Sequence, residues 1–256
     1  MNHMLRVLIC LFCAVSLLFC GASAESGLDL ETVMQSILGP TMSDFDSVPV
    51  GESVEYEYAG ITCVSARPQE NIMVVSVSDL PEYAVNDSVM GFTYPHGEGY
   101  MHVMYFFNDD GYETILIASR SADGLTIDPI LICSGAINDP DITVDMDSIV
   151  LTADGTVYTE TEYSDDGSIR KSAEIRTEDD TPVASYEMLV TPFGDGYIAD
   201  IAVVGENNEG TMVQFTSLGD VRGLSITNDE GTSVLTYNVA DGQIDIGSAV
   251  AVTEAY

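Results

Sequence analysis

Two histidines stand close together in TYPHGEGYMHVMYFF (93–107), at His96 and His102, with Glu98 between them. Two imidazoles and a carboxylate suit zinc or another transition metal, and an imidazole beside a carboxylate suits acid–base hydrolysis. Were the stretch one regular strand, side-chain alternation would put His96, Glu98 and His102 on one face. The strand rise, however, would then hold the imidazoles about 20 Å apart, too far for a shared ion. Only a turn through Gly97, Glu98 and Gly99 reunites them, and Pro95 with two glycines favours such a turn. The segment therefore reads as a glycine-rich turn followed by a buried strand, 100–107.

Other residues invite the same scrutiny. Asp139, Asp141, Asp145 and Asp147 cluster in DPDITVDMD, and carboxylates of this kind ligate calcium. On an EF-hand frame, Val144 falls where glycine is required and Val150 where the bidentate glutamate belongs, so a calcium site here would have to be irregular. Arg170, Lys171 and Arg176 lie within seven positions, and the SDDG turn (164–167) sets them beside Glu160 and Glu162. Cross-strand ion pairing of a few tenths of a kcal/mol accounts for that arrangement. No nucleophile elbow, phosphate-binding loop or dinucleotide fingerprint occurs after the first 24 residues. Tryptophan is absent, which lowers a sugar-cleft reading, although 13 tyrosines offer other platforms.

Residues 1–24 read as an export signal: Arg6, an apolar run over 7–19, then Ala22-Ser23-Ala24 before Glu25. Thirteen apolar residues fall short of the roughly 20 that span a bilayer. A competing reading makes Cys20, followed by Gly21, a lipidated terminus, but bulky Phe19 disfavours it. The mature chain is thus expected to be secreted or extracytoplasmic, with no transmembrane segment. Without Arg6, six basic residues face 42 acidic ones, a formal net charge of −36. That field repels nucleic acid and anionic lipid, and it suits cations or a cationic partner. Cys63 and Cys133 remain after cleavage, and an oxidising compartment would favour a disulfide between them.

The elements that must carry these residues are mainly β. One short N-terminal helix is expected at 28–38, where Leu30, Val33, Met34, Ile37 and Leu38 recur at helical spacing between Ser26 and Gly39-Pro40. Strands are expected at SVEYEY (53–58), NIMVVSVS (71–78), GYMHVMYFF (99–107), YETILIAS (112–119) and LTIDPILIC (125–133), with Pro129 marking an edge or a bulge. NDDG, SADG, TADG, SDDG, GDG, NNEG, NDEG and ADG supply turns, mostly 11–14 residues apart. Early strands carry continuous apolar runs and should be covered on both faces. Later ones such as TVYTETEY (156–163) and SIRKSAEIRT (168–177) should have one face in water. The result is an antiparallel meander forming a large curved sheet, an open barrel or a sandwich. It is read as one domain over 25–256, with a possible subdivision near 139–148.

The functional expectation is a secreted, non-enzymatic β-rich protein that binds an extracytoplasmic ligand or protein, with no obligatory cofactor. One alternative is a carrier of an apolar or lipid ligand in a half-barrel cavity lined by Ile72, Val74, Met104, Phe106, Ile115 and Ile117. Another is a metal-dependent or acid–base hydrolase using His96 or His102, with zinc or calcium as the candidate ions.

Overall fold

The computed structural model describes residues 48–58, 61–77, 88–107, 112–122, 127–136, 143–144, 156–177, 179–204, 210–240 and 243–255. The expected export signal at 1–24, the segment expected to form helix 28–38 and the aspartates at 139, 141, 145 and 147 lie outside them. Two eight-stranded antiparallel sheets follow one another along the chain, and neither closes into a barrel. The N-terminal sheet runs in sequence order through β1 (Ser53–Tyr58), β2 (Ile61–Gln69), β3 (Ile72–Val77), β4 (Ser88–His96), β5 (Gly99–Phe107), β6 (Tyr112–Arg120), β7 (Ile127–Ala136) and β8 (Thr143–Val144). The C-terminal sheet comprises β9 (Thr156–Tyr163), β10 (Ile169–Arg176), β11 (Pro182–Phe193), β12 (Gly196–Val204), β13 (Gly210–Leu218), β14 (Val221–Asn228), β15 (Gly231–Ala240) and β16 (Gln243–Ala255).

Of the glycine turns named above, SDDG, GDG and NDEG lie fully within the described residues and join consecutive strands, and the change of sheet falls between residues 144 and 156. Pro129 sits where β7 slips register against β6, so the missing N–H is absorbed by a bulge. The expected contrast in burial is also present. β3 is buried on both faces, whereas β12 to β15 alternate between core and solvent.

The sheets pack through one face of each. Ile72, Val74, Phe92, Tyr94, Met101, Val103, Tyr105 and Ile117 meet Met188, Ile201, Val213, Leu224, Ile226 and Leu235 in one cluster. At its centre Phe92 stacks on Tyr237 (5.5 Å, 19°) and meets Tyr105 edge-on (5.8 Å, 89°). The Tyr237 hydroxyl donates to that of Tyr105 at 2.7 Å, so the phenols satisfy each other inside the core. The other face of the N-terminal sheet, set by the register Val75↔Gly91↔Met104↔Leu116 and Thr93↔His102↔Ala118, contributes nothing to this cluster.

This register revises the cavity expectation. Ile72, Val74 and Ile117 fill the inter-sheet core, with Ile115 packed against it, while Met104 points to the opposite face. These five residues therefore line no common chamber, and the Phe106 side chain lies outside those described. The cysteine expectation is revised too. Cys63 is a buried thiol on β2 beside Tyr56, not half of a bridge. Cys133 lies on β7, five strand positions along the sheet. In a flat sheet that is about 24 Å, against the roughly 7 Å limit for a disulfide.

Candidate functional site

The hairpin joining β4 to β5 decides the fate of the histidines. Gly97 and Glu98 form a two-residue turn, with Gly97 at φ +57°, and the strands pair as His96↔Gly99 and Thr93↔His102. The turn forms as expected, yet it separates the imidazoles. Partners across this hairpin have opposite parity, so residues of equal parity on its two strands point to opposite faces. His96 faces the C-terminal sheet with Tyr94 and Met101, and His102 faces away with Thr93. Glu98 stays exposed at the tip. His96, Glu98 and His102 thus form no ligand set, and no group of three or more metal-ligating side chains occurs among the described residues.

His96 is instead the hub of a contact between the sheets. Its ring is 1% exposed, with Nδ1 2.8 Å from Ser233 Oγ and Nε2 2.8 Å from Asn228 Oδ1. Asn228 Oδ1 also accepts the Glu230 amide at 3.0 Å, which fixes it as the amide oxygen. Nε2 therefore carries a proton and donates to it, and Nδ1 shares the second hydrogen bond with the Ser233 hydroxyl. Tyr94 lies beside Ser233, and burial pushes its phenol well above the usual range. The whole arrangement joins the HGEG tip of one sheet to the NDEG turn of the other.

A serine, a histidine and an asparagine in one hydrogen-bonded chain are also the parts of an activated nucleophile. Burial decides between the two roles. Ser233 has no exposed surface, so an electrophile reaches its oxygen only if the sheets part. Among the described residues neither histidine has a carboxylate partner, and His102 bonds Thr93 through Nδ1 at 2.9 Å. The contact is structural, and its effects are on stability.

Gly97 illustrates this. A side chain there would meet both a left-handed backbone and the Glu230 side chain. Gly97→Ala is expected to cost about 1–2 kcal/mol, read as a lower urea midpoint at unchanged slope.

His102 is fully buried on the opposite face. Burial, helped by the positive charge of Arg120, pushes its pKa down to about 3, so the ring is neutral at any ordinary pH. Its Nε2 has no hydrogen-bond partner among the described residues. Arg120 itself stacks its guanidinium over Tyr100 at 5.3 Å.

An accessible concavity exists elsewhere, on the solvent face of β9 to β12. It has a volume of about 610 Å³ and is bordered by Tyr158, Glu160, Ser172, Glu174, Glu187 and Val204. Register puts Glu160, Ser172, Glu187 and Ala202 in one row across four strands. The basic strand β10 lies in its floor, and its ion pairs differ from those expected. Arg170 pairs with Glu187 on β11 at 2.6 Å, not with Glu162 opposite it on β9. Arg176 engages Glu174 and Asp180 and sits 5.9 Å from the Tyr158 ring centroid. Glu160 forms no ion pair among the described residues. Sequence reasoning missed the groove because it arises from side chains on four strands at once. Its one legible signal was the Tyr/Glu alternation of TVYTETEY.

No helix among the described residues is long and apolar enough to cross a membrane. No family model, curated protein or solved structure matches this chain.

Proposed function

We propose that this is an exported, non-enzymatic β-rich binding protein that works through the solvent face of its C-terminal sheet. The groove across β9 to β12 carries the reading, being an open concavity with an aromatic wall, hydroxyls in its floor and a carboxylate outside any ion pair among the described residues. Its complement is an extended basic peptide. Glu160 supplies the counter-charge, and the Tyr158 ring, already close to one guanidinium, can take another cation on its face. The net charge of −36 after cleavage would steer such a partner inward and speed its association.

The test is fluorescence anisotropy with a labelled oligolysine at two salt concentrations. Tyr158→Ala with Glu160→Gln should weaken binding by about tenfold, equivalent to about 1.4 kcal/mol. Asp220→Asn, at an exposed turn away from the groove, should change it less than about twofold. Equal losses in both variants would reduce the effect to the general field of the molecule and overturn the groove. Hydrolytic turnover abolished by Ser233→Ala would overturn the non-enzymatic reading.

A further inference from the structure

The C-terminal sheet ends on two unlike edges. At one end β16 is engaged by the other sheet, with the Asn71 side chain donating to the Ala251 carbonyl and the Thr253 hydroxyl to that of Pro95. At the other end β9 pairs with β10 alone among the described residues. Glu160, Thr161, Glu162 and Tyr163 are exposed in succession, so neither face of this half of the strand is covered.

The hairpin shows which backbone groups of β9 face outward. The Ser164 amide donates to the Ser168 carbonyl at 2.9 Å, just beyond the Tyr163↔Ile169 pair. Antiparallel pairs alternate, so Glu162↔Arg170 and Glu160↔Ser172 exchange backbone bonds with β10. The N–H and C=O groups of Thr159, Thr161 and Tyr163 therefore point away from the sheet.

Exposed edges are ordinarily blunted by shortness, a bulge, proline or lysine. β9 uses none of these, since its eight residues run in unbroken register with β10 and include neither proline nor lysine. It carries instead two exposed glutamates and two exposed tyrosines, Tyr158 at 54% and Tyr163 at 77%. The glutamates form no ion pair among the described residues. Such an edge repels a second copy of this chain, whose own Glu160 and Glu162 would lie against it. It accepts a strand of opposite charge.

We propose that the basic peptide adds to the sheet as a further strand, antiparallel to β9, with lysine or arginine at alternate positions. This rests on the groove reading above and supplies its binding mode and its sequence requirement. Thr159, Thr161 and Tyr163 hydrogen-bond the peptide backbone, as in other strand additions to open edges. Glu160 and Glu162 then occupy the non-hydrogen-bonded positions, where facing Cα atoms are only about 4.5 Å apart and side chains lie closest. Cations opposite them turn to the groove side, along the row that Glu160 begins. The residues between the cations lie beside Thr161 and Tyr163, which suits β-branched or aromatic side chains.

The test is fluorescence anisotropy on the full chain with a labelled peptide of alternating lysine and threonine. It should bind at least about tenfold tighter than an isomer with all its lysines in one block. N-methylation of the threonine nitrogens, which face β9 in this arrangement, should weaken binding by about tenfold or more. N-methylation of the lysine nitrogens, which face solvent, should change it less than about twofold. Equal losses in the two series, a loss confined to the lysine series, or equal binding of the block isomer would each overturn strand addition. The groove is tested apart from this by Tyr158→Ala with Glu160→Gln. If that variant weakens the alternating peptide while the methylated series behave alike, the groove stands and strand addition falls. If neither the variant nor methylation has an effect, both fall.

Discussion

Replacing His96 with alanine is expected to lower the unfolding free energy by about 3–5 kcal/mol. The imidazole is buried between the sheets, and its removal leaves a cavity of aromatic size, for which truncations of this kind cost about 3–5 kcal/mol. Two hydrogen bonds of 2.8 Å go with it. The loss is softened because Asn228 Oδ1 keeps the Glu230 amide. Asn228→Ala should cost less, about 1–3 kcal/mol, since it strands one buried N–H without emptying a ring-sized space. Urea titrations of both variants and of the double variant complete a cycle, and the coupling should be about 1–2 kcal/mol. A loss below about 1 kcal/mol for His96→Ala would mean that the two tips merely touch.

The size of this effect was beyond the reach of the sequence for a definite reason. The partners of His96 lie 132 and 137 residues away along the chain, and which strand tips meet depends on how two whole sheets stack. What the residues did reveal is local. SVEYEY and GYMHVMYFF become β1 and β5 with the expected bounds, because β-branched and aromatic residues between Asp-Gly or Gly-x-Gly punctuation specify a strand on their own. The turn at Gly97 was equally legible. Its consequence for side-chain direction was misread, because strand parity was carried through a hairpin that reverses it. The difference between the two sheets was visible as well. The apolar run TILIA in β6 allows no solvent face, whereas the Thr/Glu alternation of β9 demands one. Cys63 and Cys133 show the opposite limit. Two cysteines in an exported chain would invite pairing, but a meander separates residues by strand count, and four strands intervene.

Acid should weaken this protein through His102 in a way that a single substitution abolishes. In the folded state burial and Arg120 hold the ring neutral down to about pH 3, while in the unfolded chain it protonates near its ordinary pKa of 6.5. Between those values the unfolded state binds more protons, so stability rises with pH across the window and falls as acid is added. The full difference is worth about 5 kcal/mol, and about 3 kcal/mol of it is gone by pH 4.5. Carboxylate protonation acts in the same range, and in a chain this acidic it also relieves repulsion, so the raw curve mixes several effects. His102→Leu isolates the histidine, because all other groups titrate alike in both proteins. The variant takes a fixed loss from the Thr93 hydroxyl that bonded Nδ1, and this loss does not depend on pH. Between pH 7 and pH 4.5 the wild-type protein should therefore lose about 3 kcal/mol relative to His102→Leu in urea titrations. The imidazole resonances of His102 should stay those of the neutral ring throughout that range. Parallel stability curves, or a ring that titrates near pH 6, would show that water reaches this face of the sheet.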